Sequence, residues 1–454
     1  MRRWGRLLAV SVVVASLLSG CTTEEKSTQE SSETVRTVEV GNRIDDTLCV
    51  APHLCSEDTE NCRRELEFAL SLMSDAGIRT IRVDFPWSQI ESRNDSYDMS
   101  HQAFQLDWAE RYGIEVLALL AYCTQWACQD DITSSIDVEE YAEYAGMVAA
   151  TLGDRLTYYE VWNEEDLSGI FWKPFSDPRR YGELLKAAST AVRQNDPDAK
   201  VLFGGLAGVC PLTLFPSPDC VWGFYTQVKG AHPDIDDYFD IFNIHGYSWN
   251  FLLAPEWNLP LLEITCPALG DKISIGRTLS GKPVWNTEFG WQCEPHYPAL
   301  TKQLQAAYLA RGYIVAAASK AERSCWYTFW HEGTGMGLID EDWHTPKPAY
   351  YALKALHELL GRFRPCPDPD DLSEQLALQG SERAYLLADN QGVPKAVALW
   401  AVAPNHEREA LLRIPFSKGP FKVYDMFGNV VMTPNGRSAE LEVKISNYPI
   451  YILW

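Results

Sequence analysis

Tyr159-Glu160-Val161-Trp162-Asn163-Glu164 and Val284-Trp285-Asn286-Thr287-Glu288-Phe289-Gly290 each end on, or contain, an acid placed just after a short apolar run that reads as a buried strand. A single such acid is ordinarily a solvated loop carboxylate. Two of them change that reading. Asn163 stands immediately before Glu164, and aromatic residues flank both acids. Together they offer what a sugar needs: planar faces to stack on, donors for hydroxyls, and two carboxylates for acid and nucleophile work.

Outward from these runs, short β-rich stretches alternate with longer amphipathic ones from Leu48 to about Gly361. That alternation is expected when each parallel strand is followed by a covering helix. Eight strands are predicted: Leu48–Leu54, Ile78–Phe85, Ile114–Ala121, Leu156–Trp162, Lys200–Gly204, Ile241–His245, Pro283–Thr287 and Ser324–Trp330. Helices are predicted between them, among others over Glu60–Ala76, Val138–Leu152, Pro178–Gln194 and Lys302–Lys320. Eight such units closing on themselves make a (β/α)8 TIM barrel, in which catalytic groups sit at the carboxyl ends of strands. Glu164 and Glu288 fall there, after the fourth and seventh.

Arg362 to Asp371 is rich in Pro and Asp, poor for helix and sheet alike, and marks a boundary. Beyond it, runs at Ala384–Ala388, Lys395–Trp400, Phe421–Tyr424, Leu441–Ile445 and Ile450–Leu453 alternate with turn signals, as in a small antiparallel β-sandwich. The expected role of this part is a brace packed on the barrel. The fold class is therefore α/β, a TIM barrel over residues 41–362 followed by a β-sandwich over 363–454.

The N-terminus reads as an export signal. Met1 to Arg6 is basic, Leu7 to Leu18 is largely apolar, and Leu18-Ser19-Gly20-Cys21 resembles a bacterial lipobox. Residues 1–20 are expected to be removed, with lipid attached to the Cys21 sulfur. Residues 21–40, rich in Ser, Thr and Glu, are expected to form a disordered tether. The protein would then be an exported lipoprotein facing the periplasm or the exterior, touching a membrane through its lipid alone. With a formal charge of −23 over 454 residues, the chain repels phosphate backbones, which argues against nucleic acid as a partner.

Twelve cysteines suit an oxidising compartment. Bridges are expected between Cys123 and Cys128, between Cys210 and Cys220, and for one pair among Cys49, Cys55 and Cys62. No Cys-x-x-Cys pair or His-Glu-x-x-His helix occurs, so neither a metal nor another cofactor is expected.

The chain resembles glycoside hydrolase clan A, and within it family 39, a group of β-xylosidases, α-L-iduronidases and some bacterial exopolysaccharide endoglycosidases. The resemblance spans about Cys49 to Gly361. It is carried by Ile81-Arg82-Val83-Asp84-Phe85-Pro86-Trp87, the Trp-Asn-Glu and Thr-Glu-Phe-Gly runs, Ile244-His245-Gly246-Tyr247 and Lys347-Pro348-Ala349-Tyr350. Trp162-Asn163-Glu164-Glu165 departs from the more frequent Trp-Asn-Glu-Pro. The resemblance implies Glu164 as acid/base and Glu288 as nucleophile, with Asn163 on the sugar 2-hydroxyl and Arg82 keeping Glu288 ionised. Tyr247 would offer its phenol to Glu288, and His245 its imidazole to the sugar. One of Trp326 and Trp330 would form a platform under the ring, with Trp87, Trp126, Trp249 and Trp291 available for outer subsites.

The expected function is a retaining glycosidase acting on an extracellular or periplasmic polysaccharide or oligosaccharide. The alternative is a surface lipoprotein whose barrel binds glycans without cleaving them. Transglycosylation differs only in which hydroxyl intercepts the intermediate, and endo or exo action depends on loop height around the pocket.

Overall fold

A computed structural model describes residues 23–24, 37–38, 40–128, 133–208, 221–248, 254–256, 268–296, 300–366, 374, 376–403, 406–414, 420–433 and 440–454. The proposed signal, Cys21, the Cys210–Cys220 bridge and Trp249 lie outside the described residues. No helix among those described is long and apolar enough to cross a membrane.

Eight parallel strands form the barrel: β1 (Leu48–Ala51), β2 (Thr80–Pro86), β3 (Glu115–Ala121), β4 (Tyr158–Val161), β5 (Lys200–Leu202), β6 (Phe242–His245), β7 (Val284–Phe289) and β8 (Ala321–Tyr327). They hydrogen-bond in the order β5-β4-β3-β2-β1-β8-β7-β6. Parallel bridges between Leu202 and Ile241 and between Leu206 and Ile244 join the two ends. Eight helices alternate with them: α1 (Glu60–Asp75), α2 (Ser100–Arg111), α3 (Val138–Leu152), α4 (Pro178–Asn195), α5 (Val221–Ala231), α6 (Leu269–Ser280), α7 (Lys302–Ala318) and α8 (Pro348–Leu360). Several start where the sequence supplies an oxygen for free amides. Thr59 accepts from the Cys62 amide, Asp137 from Glu139 and Glu140, Asp177 from Arg179 and Arg180, and Thr301 from Leu304. The α6 helix stops at Gly281, whose φ of 68° is the left-handed conformation that glycine adopts without steric cost.

Inside the barrel, Leu117, Leu202, Ile241 and Trp285 form a separate apolar plug with Tyr158 against it. Two residues further along their strands than Tyr158 and Trp285, Glu160 and Thr287 begin a polar layer above that plug. Cys49 of β1 and Cys325 of β8 are bonded, joining the first and last strands across 276 residues of chain. Sequence reasoning missed this pair. The bonds Cys55–Cys62 and Cys123–Cys128 were both anticipated.

Thr23–Glu24 pairs antiparallel with Thr37–Val38, within the stretch expected to be a disordered tether. The strands beyond the barrel are antiparallel as well: β9 (Arg364–Cys366), β10 (Glu382–Ala388), β11 (Pro394–Ala401), β12 (Arg408–Arg413), β13 (Lys422–Asp425), β14 (Val430–Met432), β15 (Glu440–Ile445) and β16 (Ile450–Leu453). Six make a sheet in the order β9-β10-β11-β16-β13-β14, and β12 pairs with β15. β9 corrects one expectation, because part of the Pro/Asp-rich stretch is itself a strand paired with β10. These sheets cover helix α7, which is why Gln305 to Ala318 is buried on every side. Arg311 on that helix is fully buried. It pairs with Glu256, donates to the Asn447 carbonyl and lies 5.8 Å from the centre of the Trp400 ring.

Candidate active site

The polar layer above the plug starts from Arg82 and Glu160, which face each other from β2 and β4. Arg82 donates to Glu160 through Nε at 2.7 Å and Nη2 at 2.9 Å. Its Nη2 also reaches Asn163 Oδ1 at 2.7 Å, and its Nη1 reaches Glu288 Oε1 at 2.5 Å. Asn243 Nδ2 donates to Glu160 Oε1 at 2.8 Å, and the Thr287 hydroxyl donates to Asn243 Oδ1 at 3.0 Å. Burial works against the guanidinium charge, but Glu160 and Glu288 outweigh it and hold Arg82 firmly protonated. One cation thus organises two carboxylates and an amide.

The chain beyond β4 turns sharply. Trp162 and Glu164 have φ of 70° and 49°, a conformation that L-residues adopt only when their surroundings impose it. The Glu164 amide donates to the Gly205 carbonyl at 3.1 Å, fixing the turn to the segment after β5. A side chain at position 205 would collide with His245, since a Cβ there would lie 2.1 Å from Nε2. Gly205 therefore lets His245 approach closely. The His245 Nδ1 lies 2.8 Å from Glu164 Oε1 and 3.6 Å from Glu288 Oε2. The Tyr247 hydroxyl donates to Glu288 Oε2 at 2.8 Å.

One oxygen each of Glu164 and Glu288 and one nitrogen of His245 all lie within 4.8 Å of one another. Burial pushes the Glu288 carboxyl up, but His245, Arg82 and the Tyr247 hydroxyl together hold it below the usual carboxylate range. Burial lowers His245, and the two glutamates overcome this and leave it raised. Two further acids follow Glu164 in the chain. Glu165 is fully buried against Gly204, and burial drives its carboxyl well up, so it is held neutral. Burial likewise raises Asp166 to about 7 while the Ala207 and Gly208 amides donate to it.

The structure thus brings Arg82, Asn163, Glu164, His245, Tyr247 and Glu288 together. His245 corrects its expected role: it is fully buried and bound to Glu164 rather than turned toward a sugar. The tryptophans also differ from expectation. Trp326 is fully buried, packs on Phe289 and Trp291, and donates its indole hydrogen to the Met336 carbonyl. Trp330 lies beyond the end of β8 and packs against Phe68, Phe329 and Trp343. The reason is strand parity: residues alternate between faces, and Cys325, bonded inward to Cys49, puts Tyr327 on the pocket side and Trp326 on the other. Trp87 and Trp291 are buried in the core, and Trp126 packs edge-on against Trp87.

Sequence reasoning did not single out Glu160, Asn243, Thr287, Tyr122 or Tyr327. Burial raises the Tyr327 phenol, and the charges of Glu288, Glu332 and Asp84 raise it further, which places it among these acids. Tyr122 feels burial first and then Arg82, Asp84, Glu288 and Glu164, and its ring stacks on Phe171 at 5.7 Å. Both phenols thus lie close enough to the carboxylates of the site to feel their charge.

Among the described residues, two groups bring three metal-ligand donors together, Glu164-His245-Glu288 and His296-His331-Glu341. In the first, Arg82 already neutralises Glu288 and repels a cation. In the second, His331 Nδ1 accepts the Gly333 amide hydrogen, so a neutral ring carries its proton on Nε2 and presents no lone pair to the cluster.

No family model matches the sequence, and comparison with curated protein sequences finds no match. Solved structures do match. A family 39 glycoside hydrolase from the gut symbiont Bacteroides cellulosilyticus WH2 is 20% identical, covering 96% of this chain and 88% of its own, with a TM-score of 0.71. A monomeric β-xylosidase from Caulobacter crescentus CB15 is 16% identical over 92% of this chain and 97% of its own, with a TM-score of 0.63. A family 30 subfamily 8 xylanase from Clostridium acetobutylicum is 12% identical over 91% and 96%, with a TM-score of 0.58. The fold is therefore a (β/α)8 barrel followed by antiparallel sheets, similar in fold to these structures.

Proposed function

We propose that this protein is a retaining glycoside hydrolase of the family 39 kind, cleaving O-glycosidic bonds of a polysaccharide or oligosaccharide by double displacement. The observation that carries the reading is the Glu164–Glu288 pair, with oxygens within 4.8 Å of each other and Glu288 held ionised by Arg82, His245 and Tyr247. Retaining enzymes set their carboxyl groups about 5–5.5 Å apart, whereas inverting enzymes need about 6.5–9.5 Å to admit a water.

Glu164, protonated, gives its proton to the leaving oxygen as Glu288 attacks the anomeric carbon. The C–O bond to the leaving group breaks and a glycosyl ester forms. Glu164, now ionised, removes a proton from water, which attacks the same carbon and releases Glu288. Arg82 takes the Asn163 oxygen and leaves its Nδ2 donor for the sugar 2-hydroxyl. Tyr122 and Tyr327 serve as stacking surfaces.

The same reading includes export as a lipoprotein, with a signal over 1–20, lipid on Cys21, a tether over 21–40, a catalytic barrel over 41–362 and a C-terminal brace over 363–454. Mass spectrometry of the membrane-extracted protein should show a diacylated Cys21 at the N-terminus. For the enzyme, an activated 2-deoxy-2-fluoro glycoside panel should trap a covalent ester on Glu288, located by peptide mapping. Tight glycan binding with no ester and no new reducing ends would favour the non-catalytic alternative.

A further inference from the structure

Cys293, five residues beyond Glu288, meets Lys347, the residue just before α8. Among the described residues Cys293 is the cysteine left without a disulfide, in a chain where Cys49–Cys325, Cys55–Cys62 and Cys123–Cys128 are all bonded. Cys293 is fully buried, and Lys347 is only 2% exposed. The Lys347 Nζ lies 3.6 Å from the Cys293 Sγ and donates to the Gly335 carbonyl at 2.9 Å. No carboxylate among the described residues forms an ion pair with it. A lysine buried to this degree is ordinarily paired, because an ammonium in a dry interior is costly. Burial accordingly pulls Lys347 below the usual lysine range, and it pushes the Cys293 thiol up.

The sulfur is also surrounded by oxygen. An inert buried cysteine packs as a small apolar group. The Cys293 Sγ instead lies 3.3 Å from Gln305 Oε1, 3.3 Å from the Gly335 carbonyl oxygen and 3.5 Å from the Glu294 carbonyl oxygen. One S–H serves one of these acceptors, so the other two face a sulfur that offers them no hydrogen. A bond to oxygen in place of the S–H makes the sulfur electron-poor, which suits such neighbours. Burial selects the chemistry further, since other thiols and polar peroxides reach a shielded sulfur poorly. Dioxygen is small and apolar and enters through brief local openings. The nucleophile it meets beside the thiol is the Lys347 amine.

We propose that Cys293 and Lys347 form a modification site, joined by dioxygen into a covalent Nζ–O–Sγ bridge. The S–H bond, one N–H bond of the neutral amine and the O–O bond break. One S–O bond, one N–O bond and the two O–H bonds of a released water form. Sulfur and nitrogen each give up two electrons, and dioxygen accepts all four. The N–H that remains keeps the Gly335 carbonyl as its acceptor. The bridge ties the chain leaving β7, the strand that carries Glu288, to the start of α8. It does not depend on the glycosidase reading.

The test uses the full, unmutated chain. Protein purified in air without reductant is denatured, alkylated at its free thiols, digested and read by mass spectrometry. The Cys293 and Lys347 peptides should be found joined, heavier than their sum by one oxygen less two hydrogens, with Cys293 not alkylated. Dithiothreitol should separate them and open Cys293 to alkylation. After removal of the reductant under argon the pair should stay open, and readmitting air should rebuild the bridge.

Absence of the joined peptide from the aerated protein, a disulfide from Cys293 to another cysteine, or a sulfinic acid at Cys293 with Lys347 unchanged overturns the proposal. None of these outcomes bears on ester trapping at Glu288, so the glycosidase reading stands or falls separately.

Discussion

Arg82 meets Glu160 through two of its nitrogens, at 2.7 and 2.9 Å, with both side chains almost fully shielded from water. The pair is not a stability device by default, because desolvating two charges offsets much of their attraction. Its consequence is positional. With Nε and Nη2 fixed on Glu160, only Nη1 remains to point at Glu288, so the position of the Glu288 carboxylate is set by a charge anchored elsewhere. Glu160→Gln should leave the guanidinium under-compensated and cost about 3–5 kcal/mol in chemical denaturation. It should also lower kcat more than it raises KM. A stability loss under about 1 kcal/mol would show that Glu160 is not the anchor.

Tyr247 and His245 act on Glu288 from the other side. Since the folded carboxyl lies below its ordinary value of 4.5, the stability it contributes is complete above that pH and is lost as pH falls through the folded value. Activity should follow the same sense, with the acidic limb of kcat/KM lying below about 4.5. Tyr247→Phe removes a hydrogen bond to a charged group and should move that limb upward by about one pH unit, since such bonds are worth about 1.5–3 kcal/mol and one unit is 1.36 kcal/mol. A pH–rate profile with an unmoved limb would assign Tyr247 to packing alone.

The bond between Cys49 and Cys325 ties neighbouring strands that are 276 residues apart in sequence. Closing so long a loop in the unfolded chain removes much of its freedom. Cys49→Ala should cost about 3–5 kcal/mol, read as a drop in Tm under oxidising conditions, and dithiothreitol should reproduce the loss. If reduction leaves Tm unchanged, the bond is not formed in the folded protein.

Most strands of the barrel were legible because they are short, largely apolar and mostly buried runs, and α3 was legible to the residue because Asp137 caps its start. Strand β8 was not. The apolar run Ser324-Cys325-Trp326-Tyr327-Thr328-Phe329-Trp330 continues past the last ladder bond, so composition alone set the strand three residues late and assigned its faces the wrong way round. Glu160 was visible as an acid inside an apolar run, yet only its two-residue offset from Tyr158, which points into the barrel, showed that it faced Arg82. The strand Arg408–Arg413 reads Arg-Glu-Ala-Leu-Leu-Arg, with no strict alternation of charged and apolar residues although its burial alternates, so it could not be separated from loop without its partner β15. Cys49 and Cys325 needed the closed barrel, since nothing local brings the first strand to the last.

The stereochemical outcome tests the proposed mechanism most directly. In the proposed mechanism, oxygens of Glu164 and Glu288 within 4.8 Å leave no room for a water between the second carboxylate and the anomeric carbon, and Glu288 attacks it directly. Proton NMR of the first product should show the anomer retained. Glu288→Ala should abolish turnover, and azide should not restore a retained product. Glu164→Ala should slow substrates with poor leaving groups by about 10²–10⁴-fold, the usual worth of general acid catalysis. Substrates with good leaving groups should still form the ester, and azide, needing no base, should then accelerate its breakdown to a glycosyl azide of retained configuration. An inverted first product would end the two-step mechanism while leaving the barrel and its buried Arg82 network as described.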